Sequence, residues 1–229
     1  LMFTDLSGFT PLMEASAQRG TEGAATLLQI LNRYFAEMIE IVSLSGGSLL
    51  EFTGDAMLAE FRRDERHNET AQAVRAGLRM QRAMAHFADI HSDMSSFSLR
   101  MRVGIHSGRY LTADIGTPRR MEHILLGTDV QRTKHAEGAG QAGRVCLTLD
   151  ACARVQEQFR VEASDDQHVL VVDDLSAAEL GTFDLTRTQY RAGANVLFDR
   201  SAEGLMGEIE SMVRRVEPLA AFIPASVLN

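Results

Sequence analysis

The stretch FTDLSGFT, residues 3–10, followed by Pro11, decides the fold. Residues 1–6 have the apolar character of a short buried strand that ends around Asp5. Residues 7–11 then predict a turn into a helix, with Thr10 as N-cap and Pro11 as the first helical residue. A carboxylate at a strand end can hold a hard cation, and the amides of a helix start face anionic oxygens. By itself the stretch fits a metal-bound phosphate and a turn-capping aspartate about equally well.

A second stretch, EFTGDA at residues 51–56, carries another carboxylate. Strand-like runs over 48–53 and 56–61 flank Gly54-Asp55, which predicts a tight β-hairpin because glycine supplies the positive φ of such turns. Asp55 then lies at the hairpin tip, which neighbours the first strand in a ferredoxin-like sheet. Two aspartates on adjacent strands can bridge two magnesium ions about 4 Å apart. Gly-Asp alone is commonplace in hairpins, so the metal prediction depends on the pair Asp5 and Asp55.

The remaining pattern predicts an α+β fold, a ferredoxin-like antiparallel sheet core with helices packed on it. Apolar residues at helical spacing predict helices, and short apolar runs predict strands that extend the sheet. The predicted helices cover residues 21–44, 67–87, 129–137, 149–158 and 202–216; further strands cover 99–107, 110–115, 122–126, 144–148, 159–162 and 168–172. We expect one domain over residues 1–199, followed by a C-terminal helix and linker over 200–229.

Composition and charge exclude several classes of function. The net charge of −8 and the pI near 5.4 argue against a nucleic-acid partner, which needs a basic surface. They leave an anionic substrate possible, because bound metal ions reverse the local charge. The longest apolar stretch, residues 27–44, is interrupted by polar residues and predicts an amphipathic helix, not a membrane span. Cys146 and Cys152 form no CxxC pair, so we expect reduced thiols and a cytoplasmic location.

Four motifs in order resemble the class III adenylate and guanylate cyclases. They are the two stretches above, RVGIHSG at residues 102–108, and GTDV at 127–130 continuing to Ala136-Glu137 and GRV at 143–145. The resemblance covers about residues 1–160. It implies the class III cyclase fold and conversion of ATP to 3′,5′-cyclic AMP and pyrophosphate, with two Mg²⁺ (or Mn²⁺) as cofactors. It also implies dimers, in which each active site is completed by a second cyclase domain in cis or in trans.

The resemblance also implies roles for individual residues. Asp5 and Asp55 would hold both ions, with the Leu6 carbonyl as a further metal ligand. The amides of Gly8, Phe9 and Thr10 would bind the β- and γ-phosphates. Arg102 matches a family arginine that helps to bind the triphosphate, and a solvated arginine at a strand end is the alternative. His106, in the same motif, is interpreted as structural.

The base-reading and transition-state positions depart from the pattern of the adenylate cyclases. Glu51 replaces a lysine, Ile124 an aspartate or threonine, Gln131 an asparagine and His135 an arginine. Isoleucine cannot hydrogen-bond a base, and histidine is shorter than arginine and mostly neutral at pH 7. Guanylate cyclases carry glutamate at the Glu51 position but usually pair it with a cysteine where this chain has Ile124.

These departures resemble the first catalytic half of a tandem soluble-type adenylate cyclase. We therefore expect the chain to be the metal-binding half of a dimer or tandem, weak or inactive by itself. Two alternatives stay open at this stage: a catalytically degenerate domain that senses nucleotide without turnover, and a guanylate cyclase.

Overall fold

The computed structural model describes residues 1–63, 65–88, 90–92, 95–117 and 120–181. The chain divides into two units: one comprises Leu1–Arg109 and Thr128–Phe183, and the other comprises Tyr110–Gly127 with residues 184–229. The predicted helix 202–216 and the predicted linker 200–229 lie outside the described residues.

The first unit is built on a seven-stranded sheet of β1 (Met2–Ser7), β2 (Ser48–Thr53), β3 (Ala56–Glu60), β6 (Arg100–Ile105), β9 (Val145–Thr148), β10 (Val161–Ala163) and β11 (His168–Val171). The order of the strands in this sheet is β10-β11-β9-β6-β1-β3-β2. Neighbouring strands are antiparallel except β6 and β9, which are parallel. The order β6-β1-β3-β2 is that of the predicted ferredoxin-like core, and β9, β11 and β10 extend it.

The predicted helices that fall within the described residues are all present, although several of their ends differ from the prediction. They are α1 (Phe9–Gln18), α2 (Gly20–Leu44), α3 (Glu69–Ala83), α4 (Thr128–Gly138), α5 (Leu149–Cys152) and α6 (Ala177–Leu180). A 3₁₀ turn, Met84–Phe87, continues α3, and α5 is far shorter than the predicted helix 149–158. Helix α6 and a small hairpin of β4 (Ile90–Ser92) and β5 (Ser95–Phe97) were not predicted. No helix in the described ranges has the length and apolar content needed to cross a bilayer.

The prediction of Thr10 as N-cap is wrong. Helix α1 begins at Phe9, and Gly8 occupies the N-cap with a φ of 91°. That left-handed backbone is accessible to glycine at little cost, which allows the chain to turn from β1 into the helix two residues earlier than the Thr-Pro pair suggests.

Helices cover both faces of the central strands. Every residue of β3 and β9 is buried, which requires packing on each side of the sheet. A Cβ added to Gly77 of α3 would contact Val103 of β6. A Cβ added to Gly104 of β6 would contact the backbone of α4. Successive side chains of a strand point to opposite faces, so α3 and α4 lie on opposite sides of β6.

The second unit contains a two-stranded ribbon of β7 (Leu111–Thr117) and β8 (Arg120–Leu126). The ribbon pairs Ala113 with Ile124, and Ile124 is partly exposed. Leu111, Ile115 and Leu126 are exposed apolar side chains of the same ribbon.

Candidate active site

Asp5 and Asp55 lie at the same end of neighbouring strands. The β1–β3 register pairs Thr4 with Met57, so Asp5 is one residue and Asp55 two residues beyond this pair. Gly54, with a φ of 69°, and Asp55 form the two-residue turn between β2 and β3. Burial raises the pKa of Asp55; a backbone hydrogen bond opposes this shift, and the nearby charge of Asp5 adds to it. The structure thus brings together the two carboxylates that the sequence singled out.

This arrangement suits magnesium ions. Among the described residues, no group of three or more histidine, cysteine or acidic side chains is arranged to hold a metal. Magnesium does not need such a cage, because it is commonly bound by one or two carboxylates together with substrate phosphates and water. Asp5 and Asp55 have carboxylates whose negative charges repel each other, and Leu6 follows Asp5 in β1. Two carboxylates and a neighbouring backbone carbonyl fit the ligands that magnesium uses.

The start of α1 presents backbone amides without a side-chain cap. The N-cap residue is Gly8, which has no side chain, so no capping hydrogen bond to these amides forms from it. The first amides of a ten-residue helix therefore remain available to an anion, to which the helix dipole adds attraction. Gly8 itself is restricted by its positive φ and by Ser98, whose carbonyl oxygen would be 2.9 Å from an added Cβ. Phe9 and Thr10, whose amides are also predicted to bind phosphate, are the first two residues of this helix.

Arg102 lies between two carboxylates. Its Nη2 donates to Asp5 Oδ2 at 3.0 Å, and its Nε lies 2.8 Å from Glu137 Oε1. Glu137 is only 7% exposed, and burial raises its pKa although the Arg102 charge opposes the shift. The Arg102 side chain is 33% exposed, and its guanidinium is paired with both carboxylates. Sequence reasoning did not single out Glu137, and the available signal was an acidic residue next to the small Ala136 within a cyclase-like motif.

His106 and Asp129 connect the end of β6 to the start of α4. Asp129 accepts from the Arg109 amide at 2.7 Å and lies 3.3 Å from His106 Nε2. Because a carboxylate only accepts, Nε2 carries the proton and His106 Nδ1 accepts from the Thr148 hydroxyl at 2.8 Å. Burial alone would raise the pKa of Asp129, but the Arg109 hydrogen bond and His106 lower it. His106 is 2% exposed, in keeping with a structural role.

The altered positions are exposed where the structure describes them within the first unit. Glu51 is exposed on β2 and accepts from the Thr53 hydroxyl at 3.2 Å. Gln131 and His135 are exposed on α4, four residues apart. His135 also lines a cleft of about 330 Å³ with Arg132 and His168.

Comparison with known protein families identifies the family of this chain. The family described as "Adenylate and Guanylate cyclase catalytic domain" matches residues 1–182.

The chain belongs to the class III nucleotidyl cyclase family.

Curated relatives of this cyclase domain include "Adenylate cyclase type 10" from Mus musculus, 27% identical over 191 residues. The match covers 80% of this chain but only 12% of the mouse protein. "Adenylate cyclase 1" from Rhizobium meliloti is 26% identical over 140 residues, covering 60% of this chain and 20% of that protein. The cyclase domain therefore spans a small part of the length of the curated relatives that it matches.

Solved structures share the fold of this cyclase domain. The adenylyl cyclase CyaB from P. aeruginosa has a TM-score of 0.62 at 24% identity, covering 76% of this chain and 93% of that one. The guanylate cyclase domain of RhGC from Catenaria anguillulae, solved with GTP, has a TM-score of 0.61 at 19% identity, covering 75% and 93%. The predicted fold class is confirmed, and adenylate and guanylate cyclases both appear among these neighbours.

Proposed function

We propose that the chain is the metal-binding half of an adenylate cyclase, which converts ATP to 3′,5′-cyclic AMP and pyrophosphate together with a second cyclase domain. The observation that carries the proposal is the convergence of Asp5 and Asp55 at neighbouring strand ends. The choice of ATP is supported by the two curated relatives described above, which are adenylate cyclases.

Each group in the candidate site has a task in this reaction. Asp5 and Asp55, with the Leu6 carbonyl, would hold two divalent cations. These cations, when bound, would acidify the ribose 3′-hydroxyl and stabilise charge on the α-phosphate as pyrophosphate leaves. The amides of Gly8, Phe9 and Thr10 would bind the β- and γ-phosphates, and Arg102 would add a fixed positive charge.

A partner domain is needed because the chain lacks the complementary surface. Ile124 offers no hydrogen bond to a base, and His135 offers less positive charge than arginine. A homodimer would therefore duplicate the metal-binding surface and leave the base-reading and transition-state groups missing. The partner would supply a lysine and an aspartate or threonine for adenine, and the asparagine–arginine pair.

The test pairs the chain with a cyclase domain that has those partner residues but carries alanine at its own metal-binding aspartates. With Mn²⁺ and ATP, we expect cyclic AMP from the mixture and little from either component. Asp55→Ala in the chain should lower the rate at least about 100-fold. Asp174→Ala, which removes an exposed carboxylate 3.3 Å from Arg160, is the matched control and should keep the rate. An unchanged rate in the Asp55 variant would contradict the metal role, and a faster reaction with GTP would favour the guanylate cyclase alternative.

A nucleotide-sensing domain without turnover is the second candidate. The exposed Gln131 and His135, in place of transition-state groups, favour it. Calorimetry that detects binding of Mn²⁺–ATP, combined with no product in any mixture, would support this candidate over the cyclase.

A further inference from the structure

We propose that Glu137 is a positioning residue that holds Arg102, and that Arg102 passes from Asp5 to the triphosphate when cation and nucleotide bind. The inference rests on the proposed function, because it assigns a ligand to Arg102. It adds a carboxylate that contacts neither metal nor nucleotide and acts only through the arginine.

Arg102 and Glu137 make a close contact through one atom of each side chain. Nε and Oε1 are 2.8 Å apart, but the angle lies outside hydrogen-bond geometry. Both atoms are buried and have no other hydrogen-bond partner among the described residues. A buried carboxylate oxygen and a buried guanidinium nitrogen 2.8 Å apart stabilise each other by charge, since either one buried alone would be strongly penalised.

The backbone places Glu137 beside Arg102. A Cβ on Gly104 would be 2.1 Å from the Glu137 nitrogen, so α4 lies directly against β6 at a glycine. Arg102 is two residues before Gly104 in β6 and thus shares its face of the sheet. At the other end of α4, Asp129 accepts from the Arg109 amide at 2.7 Å and fixes the start of the helix. The Arg102–Glu137 contact therefore follows from how α4 packs.

Charge balance explains why Arg102 would change partners. One guanidinium lies between two carboxylates, Asp5 and Glu137, so the cluster has an excess of negative charge. A divalent cation on Asp5 would remove most of the attraction between Asp5 and Nη2. Nε can stay against Glu137 while the freed Nη2 donates to a phosphate, because guanidinium donors point in several fixed directions.

The first measurement concerns the protein without nucleotide. In ¹H–¹⁵N spectra of the arginine side chains, the Arg102 Nε–H signal should exchange slowly with water and should move or broaden in Glu137→Gln. Glu162→Gln is the matched control, because Glu162 forms an exposed pair with Arg144 at 3.0 Å. An Arg102 signal that is unchanged in Glu137→Gln would overturn the proposal whatever the protein binds.

The second measurement concerns the triphosphate. By calorimetry with Mn²⁺ and a non-hydrolysable ATP analogue, Glu137→Gln should weaken nucleotide binding about tenfold, a change of about 1.4 kcal/mol. In an Arg102→Ala background the same substitution should change nothing, since Glu137 would act only through Arg102. An equal loss in both backgrounds would overturn the positioning role and leave the proposed function standing. Absence of binding by the unsubstituted protein in the presence of the partner domain would instead overturn the proposed function, and the arginine spectra would still report whether Glu137 holds Arg102.

Discussion

Gly104 of β6 and Glu137 of α4 approach so closely that a Cβ on Gly104 would lie 2.1 Å from the Glu137 backbone nitrogen. Gly104→Ala must therefore push α4 away from the sheet. We expect a loss of about 2–3 kcal/mol in the free energy of unfolding, as for overpacked cores. Equilibrium unfolding in urea measures this difference in the free energy of unfolding between the variant and the unsubstituted protein. Gly138→Ala, at the end of α4 with nothing within 4 Å of an added Cβ, should change stability by no more than about 0.5 kcal/mol.

Asn68 caps α3 and ties it to the chain after α5. Its Oδ1 accepts from the amides of Thr70 and Ala71 at 3.0 Å, and its Nδ2 donates to the Arg154 carbonyl at 2.8 Å. Asn68→Ala should cost about 1–2 kcal/mol, because it leaves helix amides without a partner. Asn32→Ala, at an exposed position inside α2, is the control and should be neutral or slightly stabilising. Equal unfolding midpoints for the two variants would contradict the capping role.

We expect the buried His106 to lower the free energy of unfolding on mild acidification. Burial lowers the pKa of His106 although Asp129 opposes the shift, whereas the unfolded chain keeps a value of about 6.5. Below pH 6.5 His106 takes up a proton more readily in the unfolded state than in the folded state, so the free energy of unfolding falls as the pH drops. The contribution of neutral His106 to stability is fully present above that pH. Unfolding in urea from pH 7.5 to 5 should show a shallower decline for His106→Gln. Parallel declines for the two proteins would refute the assignment.

Restoring the two altered positions of α4 should raise the activity of the chain alone. The double variant Gln131→Asn and His135→Arg returns a permanent positive charge and a short amide to an exposed surface. We expect at least about a tenfold gain in cyclic AMP formation from Mn²⁺–ATP, since one transition-state donor is commonly worth more. Gln158→Arg adds the same charge at another exposed position and should have no effect. If the double variant and Gln158→Arg form equal amounts of cyclic AMP, then the substitutions at positions 131 and 135 do not explain the low activity of the chain alone.

Local chemistry made much of the fold predictable. Strand β2 runs over Ser48–Thr53 as predicted, because the Gly54-Asp55 turn that follows it needs a positive φ that only Gly54 adopts. Helix α2, predicted over 21–44, covers Gly20–Leu44 because its apolar residues recur at helical spacing and Gly46, with a φ of 85°, follows its end. Such signals act within a few residues, so a single sequence reveals them.

Predictions failed where the deciding contact was remote or competed with a local signal. Thr10-Pro11 is a good helix start in isolation, but the backbone turns earlier at Gly8, held against the Ser98 carbonyl. The predicted helix 149–158 ends at Cys152, and turns then lead to the buried Phe159. Ser98 is far from Gly8 along the chain, so no local pattern reveals the contact that accompanies this early turn.

By itself the sequence determined the strand–helix order of the ferredoxin-like core, the turn at Gly54 and the two acidic motifs, because each depends on neighbouring residues or on a short spacing. Only the tertiary structure decided that Arg102 lies between Asp5 and Glu137. These three residues are distant in the chain. They meet because β1 pairs with β6 and α4 packs on a glycine of β6, and no local pattern encodes the register and helix packing that produce this contact.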